Sequence, residues 1–469
     1  MNLRRWFLCC SAALIGAACP AWAQQQGTAT QISGPVERRA VEAAIWGIPI
    51  VNFEAMREAY FRDAGAQYND IVYWSKNPDA KMQLLTPNTT SHYAYANFNT
   101  RGGPVVFELP PFEGVGMYHN LADAWQVPVV DFGPNGLDRG KGGKFLLLPP
   151  GHKGDAPAGY TPIRMPTYNG YFLLRSNPKS QAARDVAQAN DWIRKVRLYP
   201  LADADAPRAQ RYIDVSGKLI DGVVRMDQSY FTRLARILAE EPVRPIDLPM
   251  MGMLRTLGIT HDRPFAPDAA LTATLDLAAR QAHREIVASR TDQRQPWWPG
   301  SKWTIAKNLM EAAKGGFTFE VDDSLLIDQR AYTFYIAFAL SAKLGGATFY
   351  LTQYDEADGT PLSGDHDYVL RVPADVPAEQ FWAATVYDMD SASFLREAPV
   401  VGLDSNDRRM KRNADGSVDI YFGATPPRGA EANWIYVRPG GTWFAAFRFY
   451  GPTPRLFDKS WAMPNIERR

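Results

Sequence analysis

Strand-like runs in both outer thirds and helical spacing between them predict an α+β protein. The expected architecture is two β-sandwich or jelly-roll-like units with a helical layer between or around them. Three observations carry this. Aromatic residues make up 12% of the 469-residue chain, with 13 tryptophans. The 35 prolines and 36 glycines punctuate short apolar runs, a mixture that suits strands joined by turns. The middle third instead repeats its apolar residues every three or four positions.

The first 23 residues read as a cleavable export signal. Arg4 and Arg5 supply the charge, Trp6 to Ala18 the short apolar core, and Ala21-Trp22-Ala23 the cleavage site. The stretch is too short to span a bilayer. Arg4-Arg5-Trp6-Phe7-Leu8 also fits the twin-arginine pattern, so the export route is Sec or twin-arginine. All three cysteines, Cys9, Cys10 and Cys19, fall inside this segment. A mature chain without them has no disulfide, thiolate metal site or cysteine nucleophile, and a periplasmic or secreted location follows. No other stretch resembles a transmembrane anchor.

Residues 24–36 are polar and expected to be a disordered lead-in. Residues 37–200 read as the N-terminal β unit. It opens on an apolar helical stripe from Glu37 to Asp63, interrupted at Gly47-Ile48-Pro49, and continues in the strand runs Pro104–Pro110, Lys144–Pro149 and Gly170–Arg175. Residues 201–345 read as largely helical, with stripes over Tyr230–Leu238, Asp268–Ser289, Trp303–Lys314 and Asp328–Leu344. Residues 346–469 read as a second β unit. It holds Ala347–Tyr354, Tyr368–Val372, Gln380–Tyr387, Val418–Phe422 and Trp443–Tyr450, with Asp358-Gly359 as a hairpin signal.

Within this last segment stand Tyr354-Asp-Glu-Ala-Asp-Gly-Thr-Pro-Leu362, Phe381-Trp382, Tyr387-Asp388, Asn433-Trp434, Arg448-Phe-Tyr-Gly-Pro452 and Lys459-Ser-Trp461. Their order resembles the domain of unknown function 1214. Upstream, Thr86-Pro-Asn88, Gly103-Pro-Val-Val106, Asp123-Ala-Trp-Gln126, Lys141-Gly-Gly-Lys144 and Pro149-Pro-Gly151 resemble the partner domain of unknown function 1254. The resemblance covers nearly the whole mature chain and implies architecture, not a reaction. Many relatives carry an acidic residue shortly after Pro-Asn, where this chain has Thr89-Thr90-Ser91.

Charge is balanced, 51 basic against 50 acidic residues, without the basic face that nucleic-acid binding requires. The chain has no Gly-x-Ser-x-Gly, no phosphate-binding glycine loop and no His-Glu-x-x-His. Ser176-Asn-Pro-Lys179 matches Ser-x-x-Lys without the companion motifs that would make it meaningful.

Polar and aromatic groups are dense from His119 to Gln126. His119 and Asp123, four apart, could share a proton, with Trp125 and Gln126 beside them for a ligand. The competing reading is that these groups satisfy buried backbone. Lys144 closes a flexible Lys-Gly-Gly-Lys turn able to hold an anion. Asp365-His366-Asp367 is a conceivable calcium site, although its spacing is not that of an EF-hand. Arg448, flanked by Phe447 and Phe449, should pair with a carboxylate such as Asp388 or face solvent.

The expected function is an enzyme, possibly hydrolytic, acting on a small organic molecule in an inter-domain pocket. Its catalytic residues would be His119, Asp123 and Lys144, and its ligand-binding residues Trp125, Gln126 and Arg448. The alternative is a non-catalytic carbohydrate- or lipid-binding envelope protein. No cofactor, metal or oligomeric state is implied.

Overall fold

In a computed structural model, described over residues 34–112, 116–178, 180, 182–342 and 348–469, the first apolar stripe forms two helices. Pro35–Trp46 and Ile48–Asp63 meet at Gly47. A Cβ at Gly47 would stand 3.0 Å from both the Tyr230 hydroxyl and Leu234 Cδ1, so glycine lets the helix Ser229–Glu240 approach this joint. The Tyr230 hydroxyl then donates to Ala44 O at 2.6 Å. The export signal lies outside the described residues, as does the lead-in up to residue 33.

A buried polar knot fastens these helices to the strands. The Arg57 guanidinium pairs with Glu54 at 2.5 Å and with Glu240 at 2.6 Å, and donates to Asn169 Oδ1 at 3.1 Å. The Tyr68 hydroxyl accepts from it as well. Three elements distant in sequence thus converge on one cation: the helix Ile48–Asp63, the helix Ser229–Glu240 and the start of the strand Asn169–Asn177.

Two six-stranded sheets dominate. In the N-terminal one, His92–Asn99 and Gly116–Asp123 flank the strand Asn169–Asn177, with Ile71–Tyr73, Tyr212–Asp214 and Pro128–Phe132 outside. Its alternation sorts the side chains onto two faces. Tyr93, Tyr95, Tyr171 and Leu173 pack toward the helices, whereas Ala94, Phe98, Phe172 and Leu174 pack against a four-stranded sheet through Phe107 and Phe145. In the C-terminal one, Trp443–Pro452 lies between Thr348–Gln353 and Ala378–Asp388.

The α+β composition stands, but the β-sandwich and jelly-roll description is overturned. Among the described residues the strands form six separate sheets, none closed into a barrel or strongly curled. A jelly roll is built from antiparallel strands. Here parallel pairs occur at Ile71–Tyr73 with Tyr212–Asp214, at Phe145–Leu148 with Thr161–Arg164, and at Tyr421–Gly423 with Trp434–Tyr436. Asp358-Gly359 does turn the chain, with Gly359 at φ +92°, but it joins no hairpin of long strands. The strand before it enters the six-stranded sheet, whereas Tyr368–Val372 pairs with Val418–Phe422 in another.

In the middle segment the helix Ala269–Ser289 follows its apolar stripe, whereas in the stripe read over Asp328–Leu344 the helix ends at Ile336. Asp268 caps the first, its carboxylate accepting from Leu271 N at 2.8 Å. The stripe read over Trp303–Lys314 divides instead. Thr304–Ala306 is a strand at the side of Thr348–Gln353, and only Leu309–Lys314 is helical. β-Branched Thr304 and Ile305 favour the extended form where a strand is available to pair with. Among the described residues no helix is long and apolar enough to cross a membrane.

Candidate functional site

On the C-terminal sheet, Phe444, Ala446, Arg448 and Tyr450 point to one face, joined across the ladder by Thr348, Tyr350 and Thr352. These residues line a cavity of about 200 Å³. The opposite wall belongs to the N-terminal sheet, where Tyr93 and Arg175 are direct cross-strand partners. Thr86 and Asn88 complete that side. Ala306, Leu309, Ile336 and Phe338 close the remainder with apolar surface.

Arg448 is 2% exposed and has no ion-pair partner among the described residues. It neither pairs with Asp388 nor faces solvent, since Asp388 is held by Arg438 at 2.9 Å. Its guanidinium donates to Thr385 Oγ1 at 2.9 Å, to Thr86 O at 3.2 Å and to the Tyr387 hydroxyl. The Tyr350 ring lies 5.1 Å from it and the Tyr387 ring 5.5 Å. Burial alone would lower its pKa, but the oxygens of Tyr387, Tyr450 and Tyr350 outweigh that and hold it above the ordinary arginine value. The cavity wall therefore carries a full positive charge balanced only by neutral dipoles.

The segment Thr86-Pro87-Asn88 is clamped onto this cation. Thr86 adopts φ +35°, unusual for a β-branched residue, and its Oγ1 donates to Ile336 O at 2.7 Å. Pro87 O accepts from the Tyr387 hydroxyl at 2.5 Å, and Asn88 Nδ2 donates to the Tyr450 hydroxyl. Burial pushes the Tyr387 phenol up to about 12, with Arg448 opposing. Strain of this kind persists where surrounding contacts over-determine it, and it concentrates at sites that bind or react.

Arg175 supplies a second cation. It donates to Ala339 O at 3.1 Å and to Asn120 Oδ1 at 3.5 Å, and packs 6.0 Å from the Tyr93 ring, again with no ion pair among the described residues. Tyr93 feels both guanidiniums. Burial raises its pKa, and Arg175 and Arg448 each pull it down. A smaller cavity of about 40 Å³ adjoins the first behind Tyr93, Arg175 and Phe338. No carboxylate or imidazole is among the described residues lining either space.

Of the described residues expected from the sequence to be catalytic or ligand-binding, Arg448 alone lines this cavity. Asp123, Trp125 and Gln126 form a tight turn after the strand Gly116–Asp123. The Asp123 Oδ1 accepts from Trp125 N at 2.8 Å and from Val127 N at 2.9 Å, while Gln126, at φ +63°, donates to Pro49 O at 2.7 Å. The Trp125 ring is covered by the guanidiniums of Arg244 at 4.3 Å and Arg330 at 5.3 Å, with Trp46 edge-on at 4.8 Å. The side chain of His119 lies outside the described residues, as do Asn177 in its side chain and Lys179. Lys144 is paired with Glu108 at 2.9 Å on the four-stranded sheet, its side chain 54% exposed. Asp365 accepts from Gly440 N at 2.8 Å, which gives it a turn to hold. Among the described residues no three His, Cys, Asp or Glu side chains are arranged to hold a metal ion.

The turn carboxylate gives a pH signature. Burial pushes Asp123 up to about 6, against Arg244 and the two backbone N–H groups. Nearby Glu241 is pushed up to about 7 by burial, with hydrogen bonds from Asn169 and Tyr168 opposing. Both pKa values are raised on folding, so the stability they contribute is full below pH 4 and is lost as pH rises through 6 and 7. Asp123→Asn keeps an Oδ1 acceptor and removes the charge. It should therefore gain stability relative to the wild type between pH 4 and pH 7, by about 3 kcal/mol at most, in urea unfolding measured across that range. A parallel offset at every pH would show that Asp123 does not titrate there.

Tyr93, Arg175 and Tyr350 carry no site signal in the sequence. A lone arginine ending an apolar strand, as in Gly170–Arg175, carries no local signal. By contrast Thr86, Asn88, Tyr387 and Tyr450 all stand inside quoted motifs, and the meeting of those motifs in space is what marks them.

Fold and site together define an α+β protein with a cationic, tyrosine-walled cavity between two open sheets. Residues 68–200 match the family described as Protein of unknown function (DUF1254), and residues 347–454 match Protein of unknown function (DUF1214). The chain thus has the paired DUF1254–DUF1214 architecture, and the cavity draws its two cations one from each region. The crystal structure of the VPA0106 protein from Vibrio parahaemolyticus is similar at TM-score 0.55 and 17% identity, covering 92% of this chain and 100% of that one. This is a likeness of fold. A putative uncharacterized protein from Burkholderia cenocepacia, 14% identical, gives TM-score 0.41 over 92% of this chain and 94% of its own. No curated protein matches the chain.

Proposed function

We propose that this is an exported binding protein that holds a small organic anion in the cavity between its two six-stranded sheets. The observation that carries the reading is Arg448, a buried guanidinium lining the cavity, with no carboxylate partner among the described residues. Burying a charge without a counter-charge is costly, and a site that keeps one is suited to an anion that arrives from outside. Arg175 on the facing wall adds to the same field. A hydrolytic reaction needs a general base, and the described lining residues offer no carboxylate or imidazole, which favours binding over hydrolysis.

The test is thermal denaturation of the exported protein with small carboxylates, sulfonates and phosphate esters, each beside a neutral analogue. Anions should raise the melting temperature and their neutral analogues should not. A folded Arg448→Met protein should lose that response. Stabilisation by neutral sugars alone, unchanged in Arg448→Met, would overturn the reading in favour of carbohydrate binding.

A further inference from the structure

We infer that the anion is a monocarboxylate bearing one apolar tail, an aryl or medium-chain alkyl acid, bound head-first against Arg448. This rests on the anion-binding reading above and specifies its ligand. The cavity is polarised across the C-terminal sheet. Arg448 lies on the strand Trp443–Pro452, Tyr350 and Thr352 on the next strand, and Thr304–Ala306 beyond them. Two strand spacings, roughly 10 Å, therefore separate the strand of the cation from Ala306, which shares its face. Along that path the surface passes from guanidinium and phenols through Thr352 and Ala446 to Ala306 and Leu309.

The far end also suits an uncharged group. A second anionic group would meet the apolar side chain of Leu309 there, a desolvation penalty that a hydrocarbon tail escapes. Size agrees. A closed cavity of about 150 Å³ accommodates benzene, so about 200 Å³ leaves room for a ring or short chain together with a carboxylate. The adjoining space of about 40 Å³ is too small to take the tail instead.

The described donors at the head are two guanidiniums, hydroxyls and the Asn88 amide, a set whose N–H and O–H groups match the oxygens of a carboxylate.

Isothermal titration of the full chain with acetate, butanoate, hexanoate, octanoate and decanoate, with octanamide as the uncharged control, tests this. Affinity should rise by about fourfold per methylene up to a limiting length and then fall. Octanamide should bind at least about tenfold more weakly than octanoate. Leu309→Trp, which fills the far end, should move the optimum to a shorter acid, and it keeps the test open should Arg448→Met fail to fold. Succinate or inorganic phosphate binding more tightly than every longer acid would overturn the tail while leaving the anion reading intact. Absence of binding by any of these anions would overturn both.

Discussion

Arg57→Ala should lower the free energy of unfolding by about 3–5 kcal/mol, the cost of breaking a buried ion pair from one side. The loss is large because Arg57 serves two carboxylates, Glu54 and Glu240, together with Asn169 and Tyr68. Its removal leaves Glu54 with Arg236 alone, in a side chain that is 2% exposed. Burial already raises the Glu54 pKa, against the pull of Arg57 and Arg236. The variant should therefore recover part of its stability in acid, where Glu54 takes up a proton. Arg57→Ala combined with Glu54→Gln should unfold later than Arg57→Ala alone. Equal stability of the single and double variants in urea would show that the carboxylate is not the source of the cost.

Trp125→Ala should cost about 3–5 kcal/mol through lost packing, with a further contribution from the two cations that lie over its ring. Arg244 and Arg330 both lie over the indole, and Arg244 is paired with Asp247 at 2.6 Å. Arg330 is buried, donates to Trp46 O at 2.9 Å and has its pKa lowered to about 10 by burial and by Arg244. Trp125→Phe retains a π face and should lose less than half as much. Differential scanning calorimetry of the two variants measures both losses. Equal losses would show that a ring restored at this position, with its volume and π face, does not recover the stability.

Much of the secondary structure was legible because it is local. The stripe and cap of Ala269–Ser289, the interruption at Gly47 and the aromatic alternation of Trp443–Tyr450 each announce themselves within a few residues. Pairing was not legible. Nothing in Thr348–Gln353 states that it will join Trp443–Pro452, some ninety residues on, rather than Tyr368–Val372 beyond a turn. The sandwich expectation failed at that step. The site divides the same way. Arg448 stood out because a cation within an aromatic strand demands an explanation, whereas Arg175 acquires its meaning only when the second sheet faces the first. The density of polar groups from Asp123 to Gln126 was a true signal of burial, and what it marks is a turn held by its own side chains.

The clamp between Thr86-Pro87-Asn88 and the strand of Arg448 has an evolutionary consequence. Each half of the chain carries the other's missing hydrogen-bond partners: the carbonyls of Thr86 and Pro87 on one side, the guanidinium and phenols on the other. Either region transplanted alone would expose a charged, half-finished wall. The two are thus inherited most readily as a pair, and a change in one lining is constrained by what the other has to offer.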